Sequence, residues 1–145
     1  MKKIVIIGAN DFHNQLILKA KEMGFETHVF AWQDGSIGER TADYFYPVSI
    51  VEIDEILEKC KEIKPDAVAT IASDLANITV SKVAAGLGLP GNTPECIEIS
   101  TNKYAMRSAF LKAGIPTPAF YKVDQVQDEL YKMKLPVIVK PTDRS

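Results

Sequence analysis

Residues 3–7 read Lys-Ile-Val-Ile-Ile, a nearly unbroken apolar run of strand length. That pattern predicts a strand buried on both faces of a parallel sheet. A polar turn follows. Leu16, Ile17, Ala20 and Met23 then recur at helical spacing, with Gly24 as the stop. Glu26 to Ala31 predicts a second strand, Trp32 to Asp43 a polar, glycine-containing loop, and Tyr44 to Val48 a short third strand. Ile53, Ile56, Leu57, Cys60 and Ile63 form one helical stripe, closed by Lys64-Pro65 because a residue before proline disfavours helix. Ala67 to Ile71 predicts another buried strand, with Ser73-Asp74 just past its carboxyl end. A small-residue helix then passes through Ile78, Val83, Ala84 and Leu87 to Gly88.

This alternation predicts an open α/β sheet of mostly parallel strands. Right-handed crossovers would set Gly8, Ala31 and Ser73-Asp74 along one edge, where ligands bind in such sheets. The character changes at Leu89-Pro90-Gly91, which predicts one domain over 1–90 and a second beginning at 91–145. In the second, Asn92-Thr93-Pro94-Glu95 is a helix start. Thr101-Asn102 caps a helix through Tyr104, Met106, Phe110 and Leu111 that ends at Gly114. Ile115-Pro116-Thr117-Pro118 is extended. A strand near Phe120 to Val123, a helix over Val126 to Met133 and a closing strand Val137 to Lys140 complete the expectation.

Composition narrows the class. Of 145 residues, 46% are hydrophobic and 25% charged, a globular balance, and the formal net charge is −2 with no basic face, which argues against nucleic acid as a partner. Two scattered cysteines, Cys60 and Cys96, make neither a disulfide framework nor a metal site, and fit a reducing cytoplasm. Met1-Lys2-Lys3 and the apolar run after it could mimic a secretion signal, but the run breaks at Gly8-Ala9-Asn10-Asp11. No stretch is long enough to span a membrane, and no repeat is visible.

Few residues stand out chemically. The first turn, Gly8 to Gln15, has one glycine where a dinucleotide fingerprint needs three, and strand two ends in Ala31-Trp32 without the acid that would hold a ribose. Gly8 suits a tight turn and Asn10 or Asp11 a helix cap; a small-molecule contact from this turn is the alternative. His13 and His28 stand alone and suit surface or packing roles. Ser73 and Asp74, with Asn77, lie where ligands gather, yet either of the first two could simply cap a helix. Lys140, at the end of an expected buried strand, could neutralise a phosphate as a point charge. Lys103 sits in the first turn of a helix, where a cation opposes the helix dipole by about half a kcal/mol unless a ligand offsets it.

Taken in order, Leu87-Gly88-Leu89-Pro90-Gly91-Asn92-Thr93-Pro94-Glu95, Thr101-Asn102-Lys103-Tyr104-Ala105-Met106-Arg107, Ala113-Gly114-Ile115-Pro116-Thr117-Pro118 and Leu135-Pro136-Val137-Ile138-Val139-Lys140-Pro141 resemble the start of an ATP-grasp fold. More narrowly they are similar to the carbamoyl-phosphate synthase large-subunit and biotin-carboxylase-like branch. The resemblance covers the whole chain, because those enzymes begin with a Rossmann-like pre-ATP-grasp domain, whose first turn often carries an Asn-Gln pair like Asn14-Gln15. It implies that Lys103 and Lys140 contact ATP, and that Ser73 and Asp74, with Gly8 and Asn10 of the first turn, face the acceptor, a small carboxylate or bicarbonate. It also implies ATP-dependent formation of an acyl phosphate that an amine then displaces, with magnesium bridging the phosphates. The family's glycine-rich loop, adenine hinge and metal ligands would fall beyond Ser145, so the segment alone is expected to be an inactive amino-terminal fragment with no catalytic or metal-binding residue of its own. An exposed edge at Val137 to Val139 would favour a homodimer. Two other classes compete. One is a receiver-type phosphoacceptor module, mimicked by Asp11, Thr70 and Lys140-Pro141 but with Ser49 where its aspartate belongs. The other is a stand-alone Rossmann-like ligand-binding domain.

Overall fold

A computed structural model describes residues 1–124 and 133–143. The chain forms two compact units, Met1–Ile97 and Glu98–Ser145.

The first unit alternates strands and helices: β1 (Lys3–Ile7), α1 (Asp11–Glu22), β2 (Glu26–Phe30), α2 (Ile37–Thr41), β3 (Tyr44–Tyr46), α3 (Ile53–Ile63), β4 (Ala67–Ala69) and α4 (Asp74–Leu87). The four strands form one parallel sheet in the order β3-β2-β1-β4. β1 is central, which is why its apolar run is unbroken: Val5, Ile6 and Ile7 have no exposed surface. Successive residues serve opposite faces. Val5, Ile7 and Phe30 pack with Ile56, Cys60 and Ile63 of α3 and Ala76 and Val83 of α4. Ile4, Ile6 and Val29 pack with Ile17 and Ala20 of α1.

Helix ends follow local chemistry. α1 closes at Gly24, whose φ of 81° continues the turn left-handed. α3 ends at Lys64, forced into the same left-handed region (φ 55°) ahead of Pro65, with its N–H donating to the Cys60 carbonyl at 2.8 Å. The acid Asp43 pins β2 beside β3, accepting from the Thr27 N–H (2.9 Å), the Thr27 hydroxyl (2.8 Å) and Lys21 Nζ (2.7 Å).

Three expectations change here. Trp32 to Asp43 is not all loop, because α2 forms within it. Its Gly38 N–H donates to the Ala9 carbonyl at 3.0 Å, and the Glu39 carboxylate accepts from the N–H groups of Asp34 and Gly35. β4 ends at Ala69 and is half-buried, since among the described residues it pairs only with β1. The strand order also excludes the receiver alternative, in which β1 lies between the second and third strands; here β3 lies outside β2.

In the second unit, α5 (Pro94–Thr101) crosses the division between units and α6 (Lys103–Lys112) follows. Asn102 caps α6, its Oδ1 accepting from the N–H groups of Tyr104 and Ala105, both at 3.0 Å. Gly114 (φ 69°) ends it as expected. Residues 115–118 have no regular secondary structure, with Arg107 donating to the Thr117 hydroxyl at 3.0 Å. The strands expected at Phe120 to Val123 and Val137 to Lys140 do not form, and the helix expected from Val126 falls on residues outside those described. A strand is defined by its ladder, and among the described residues nothing pairs with either segment. Ile138 and Val139 are more than four-fifths exposed. Lys140 therefore lies on an exposed segment without regular structure instead of at the mouth of a buried strand, and the edge strand invoked for a homodimer is not there.

Candidate functional site

The order β3-β2-β1-β4 reverses direction at β1, so the switch point of the sheet lies between the carboxyl ends of β1 and β4. The turns after those two strands meet there through side chains. Asn10 is the N-cap of α1, and its Oδ1 accepts from the N–H groups of Phe12 (3.1 Å) and His13 (3.2 Å). The same oxygen lies 2.6 Å from His13 Nδ1, and His13 Nε2 lies 3.0 Å from the Thr70 hydroxyl at the end of β4. The Thr70 hydroxyl also lies 2.8 Å from the Ile7 carbonyl, so its single proton serves either that oxygen or His13 Nε2. A chain of bonds thus runs from the first turn, through a buried imidazole, to the far side of the switch point.

The two backbone donors on Asn10 Oδ1 require it to be the amide oxygen, so Nδ1 of His13 carries the proton and donates. Burial lowers the His13 pKa below its usual 6.5, opposed in part by the Ile7 carbonyl. The ring is therefore neutral at physiological pH. It also explains Gly8, which has a φ of +112° and no space for a side chain: a Cβ there would lie 2.3–2.6 Å from three His13 ring atoms.

Beyond β4, the Ser73 hydroxyl caps α4 by accepting from the Ala76 N–H at 3.2 Å, and Asp74 follows, exposed, in the first turn. The fold thus brings four sequence-predicted positions, Gly8, Asn10, Ser73 and Asp74, to one edge of the first unit. It adds two that sequence reasoning passed over. His13 looks isolated until its spacing of three from a capping asparagine is noticed; Thr70 is 57 residues away.

His28 keeps a packing role. Its Nε2 donates to Glu26 at 2.9 Å, its Nδ1 lies 3.0 Å from the Tyr46 hydroxyl, and its ring stacks on Tyr44. Cys60 is buried in a small cleft with Lys64 and Leu87 at the amino-terminal end of the sheet, and burial pushes its thiol up to about 12, which silences it as a nucleophile. Among the described residues no three His, Cys, Asp or Glu side chains are grouped to hold a metal ion, and no helix is long and apolar enough to cross a membrane.

In the second unit, the Lys103 N–H donates to the Thr142 carbonyl at 2.7 Å. This ties the first turn of α6 to the segment carrying Lys140, two residues before Thr142. Two lysines 37 positions apart (103 and 140) are brought onto neighbouring backbone. Beside them, a groove of about 440 Å³ lies along Tyr104, Leu111 and Phe120.

A parallel sheet with this switch point, followed by a capped helix and a lysine-bearing segment, fits the amino-terminal portion of an ATP-grasp enzyme, which is what the chain is similar to. No family model matches it. The chain is 23% identical over 145 residues to the formate-dependent phosphoribosylglycinamide formyltransferase of Prochlorococcus marinus subsp. pastoris, covering 97% of this chain and 37% of that protein. Among solved structures, it is 29% identical to phosphoribosylglycinamide synthetase from Anaerococcus prevotii, with a TM-score of 0.75, covering 98% of this chain and 37% of the other. The L-amino acid ligase of Bacillus licheniformis matches at a TM-score of 0.85 and 24% identity over 99% of this chain and 38% of the other. The biotin carboxylase domain of Hydrogenobacter thermophilus 2-oxoglutarate carboxylase, solved with MgADP and bicarbonate, matches at 0.66 and 20%, over 80% of this chain and 28% of the other. The last two likenesses show the fold alone. The chain thus spans little more than a third of the length of the curated relative it matches.

Proposed function

We propose that the chain supplies the front of an ATP-dependent ligase that joins a carboxylate to an amine through an acyl phosphate. Residues 1–90 serve as the pre-ATP-grasp domain and 91–145 as the start of the nucleotide lobe. Lys103 and Lys140 contact the nucleotide; Gly8, Asn10, Ser73 and Asp74 face the acceptor. The observation that carries this reading is the Lys103–Thr142 backbone bond, which puts two cations on adjoining segments, as a polyphosphate requires. In the reaction a carboxylate oxygen attacks the γ-phosphorus and ADP leaves; the amine then attacks the acyl carbon and phosphate leaves. A bound magnesium ion would neutralise charge developing on the phosphates, and no group of three His, Cys, Asp or Glu among the described residues would hold it. The names of the matched proteins raise two carboxylate classes, formate and free amino acids. A cytoplasmic setting completes the proposal.

The test uses the longest natural chain containing these residues, assayed for acceptor-dependent ADP release. Lys140→Ala and Lys103→Ala should each lower kcat/KM by about 100-fold, the scale for losing one charge-stabilising group. Full activity in both variants would refute the assignment.

A further inference from the structure

Half of the exposed large apolar side chains of the first unit stand along one edge of it. Phe12, Trp32, Ile37, Ile71 and Leu75 are each between 44% and 69% exposed. They belong to the segments that follow β1, β2 and β4, three adjacent strands, at their carboxyl ends. Apolar side chains scattered singly over a surface are ordinary, whereas several gathered on one edge mark a surface that something covers. The same segments carry one sign of charge. Asp11, Asp34 and Asp74, one from each, are exposed, and residues 8–15, 31–37 and 70–77 contain no lysine or arginine. The next cation in sequence, Arg40, donates to the Gly35 carbonyl at 3.4 Å.

The span of this rim limits its occupant. β2, β1 and β4 are neighbours, so the outer two lie about 10 Å apart at the usual strand spacing. α1 and α4 pack on opposite faces of the sheet, which sets Phe12 and Leu75 roughly 20 Å apart at ordinary layer spacings. One small molecule does not cover that distance, but six extended residues do, at about 20 Å. The three carboxylates repel nucleic acid, anionic lipid and the same edge of a second copy, and they attract ammonium and guanidinium groups.

We infer that this edge is a docking surface for a peptide, a short extended segment of another polypeptide in which apolar residues alternate with lysine or arginine. The rim surrounds Gly8, Asn10 and Ser73, so the inference rests on the ligase reading for what the docked peptide does: its amine is the one that displaces phosphate. There the N–C bond forms as the C–O bond to phosphate breaks, and the amine's protons pass to phosphate and solvent. The docking itself stands on the rim alone.

Two measurements separate them. Trp32 is the single tryptophan and lies on the rim, so its emission reports occupancy directly. The 145-residue chain is titrated with hexapeptide amides alternating leucine with lysine, leucine with glutamate, and serine with lysine. The leucine–lysine peptide should give a saturable blue shift, with the other two bound about tenfold more weakly or not at all. Phe12→Ser and Leu75→Ser, both at exposed positions, should each weaken it by about tenfold with an unchanged circular dichroism spectrum. No saturable shift, or an equal response to the leucine–glutamate peptide, overturns the inference. So does an equal shift with hexylamine, which would make the site one for a small amine, or with phosphatidylcholine vesicles, which would make it a lipid contact. Separately, the longest natural chain is given ATP and a carboxylate, with the leucine–lysine peptide or with ammonia as the amine. Peptide-dependent ADP release supports the inference, and release with ammonia alone overturns the peptide's part in the reaction. No release with either amine overturns the ligase reading, and the Trp32 titration still decides whether the edge docks a peptide.

Discussion

Gly8→Ala is the sharpest probe of the switch point, because two separate costs meet at one methyl group. The φ of +112° lies in a region that side chains other than glycine's disfavour, worth about 1–3 kcal/mol. The new Cβ would also fall within 2.3–2.6 Å of the His13 ring, so the ring must leave. It would abandon its bonds to Asn10 and Thr70, each worth about 1 kcal/mol net. Together these predict a loss of about 3–5 kcal/mol. His13→Ala alone should cost about 2–3 kcal/mol through the lost bonds and the cavity. In the double variant the methyl has room, so the combined loss should fall short of the sum by about 2 kcal/mol. Urea unfolding followed by far-UV circular dichroism and by Trp32, the single tryptophan, which belongs to the first unit, measures all four corners of the cycle. A Gly8→Ala loss below about 1 kcal/mol, or strict additivity, would refute the argument that His13 is what excludes a side chain at position 8.

Lys64→Gly should stabilise the first unit by about 0.5–1 kcal/mol, since the left-handed backbone there costs lysine and not glycine; an unchanged urea midpoint would contradict this. Lys21 and the two Thr27 donors hold the Asp43 carboxyl at about 2, below the usual 3.8. Its stabilisation is therefore complete above pH 4 and lost as pH falls through 2, by about 1 kcal/mol once solvent screening of this partly exposed pair is allowed for. Acid titration of stability should show that component, and Asp43→Asn should remove it. His13, with its pKa depressed by burial, acts in a higher window: its contribution is present above pH 6.5 and is lost as pH falls through the folded-state value. Flattening of that limb in His13→Gln would identify it. Amides of Val137 to Val139 should exchange far faster than those of Val5 to Ile7, because only the latter are in a ladder; matched protection in a monomer would show that the 137–139 segment is paired.

The elements legible in the sequence are those whose causes are local. The α1 and α3 stripes, the cap at Asn102 and the stops at Gly24 and Gly114 each rest on residues within one turn of the feature. α2 was not legible, since Ala9 and the Asp34-Gly35 turn hold it and no periodicity marks five residues. The packing role expected of His13 holds, but its partner Thr70 is not visible locally. Val137 to Val139 shows the opposite error: β-branched residues suggest a strand, but a strand also needs a neighbour. The candidate lysines stand out in the sequence as a strand-end and a first-turn cation, their ATP role is what the resemblance implies, and the geometry adds that a backbone bond links their two segments.

The contact between Gly38 and Ala9 has a consequence of a different sort. With the Gly38 N–H on the Ala9 carbonyl, and a would-be Cβ only 2.5 Å from that oxygen, the first two turns of the sheet are joined without slack. They behave as one mechanical part. Grafting a foreign first turn onto this chain should fail unless residues 34–39 are transplanted with it. The unit of exchange is the pair of turns.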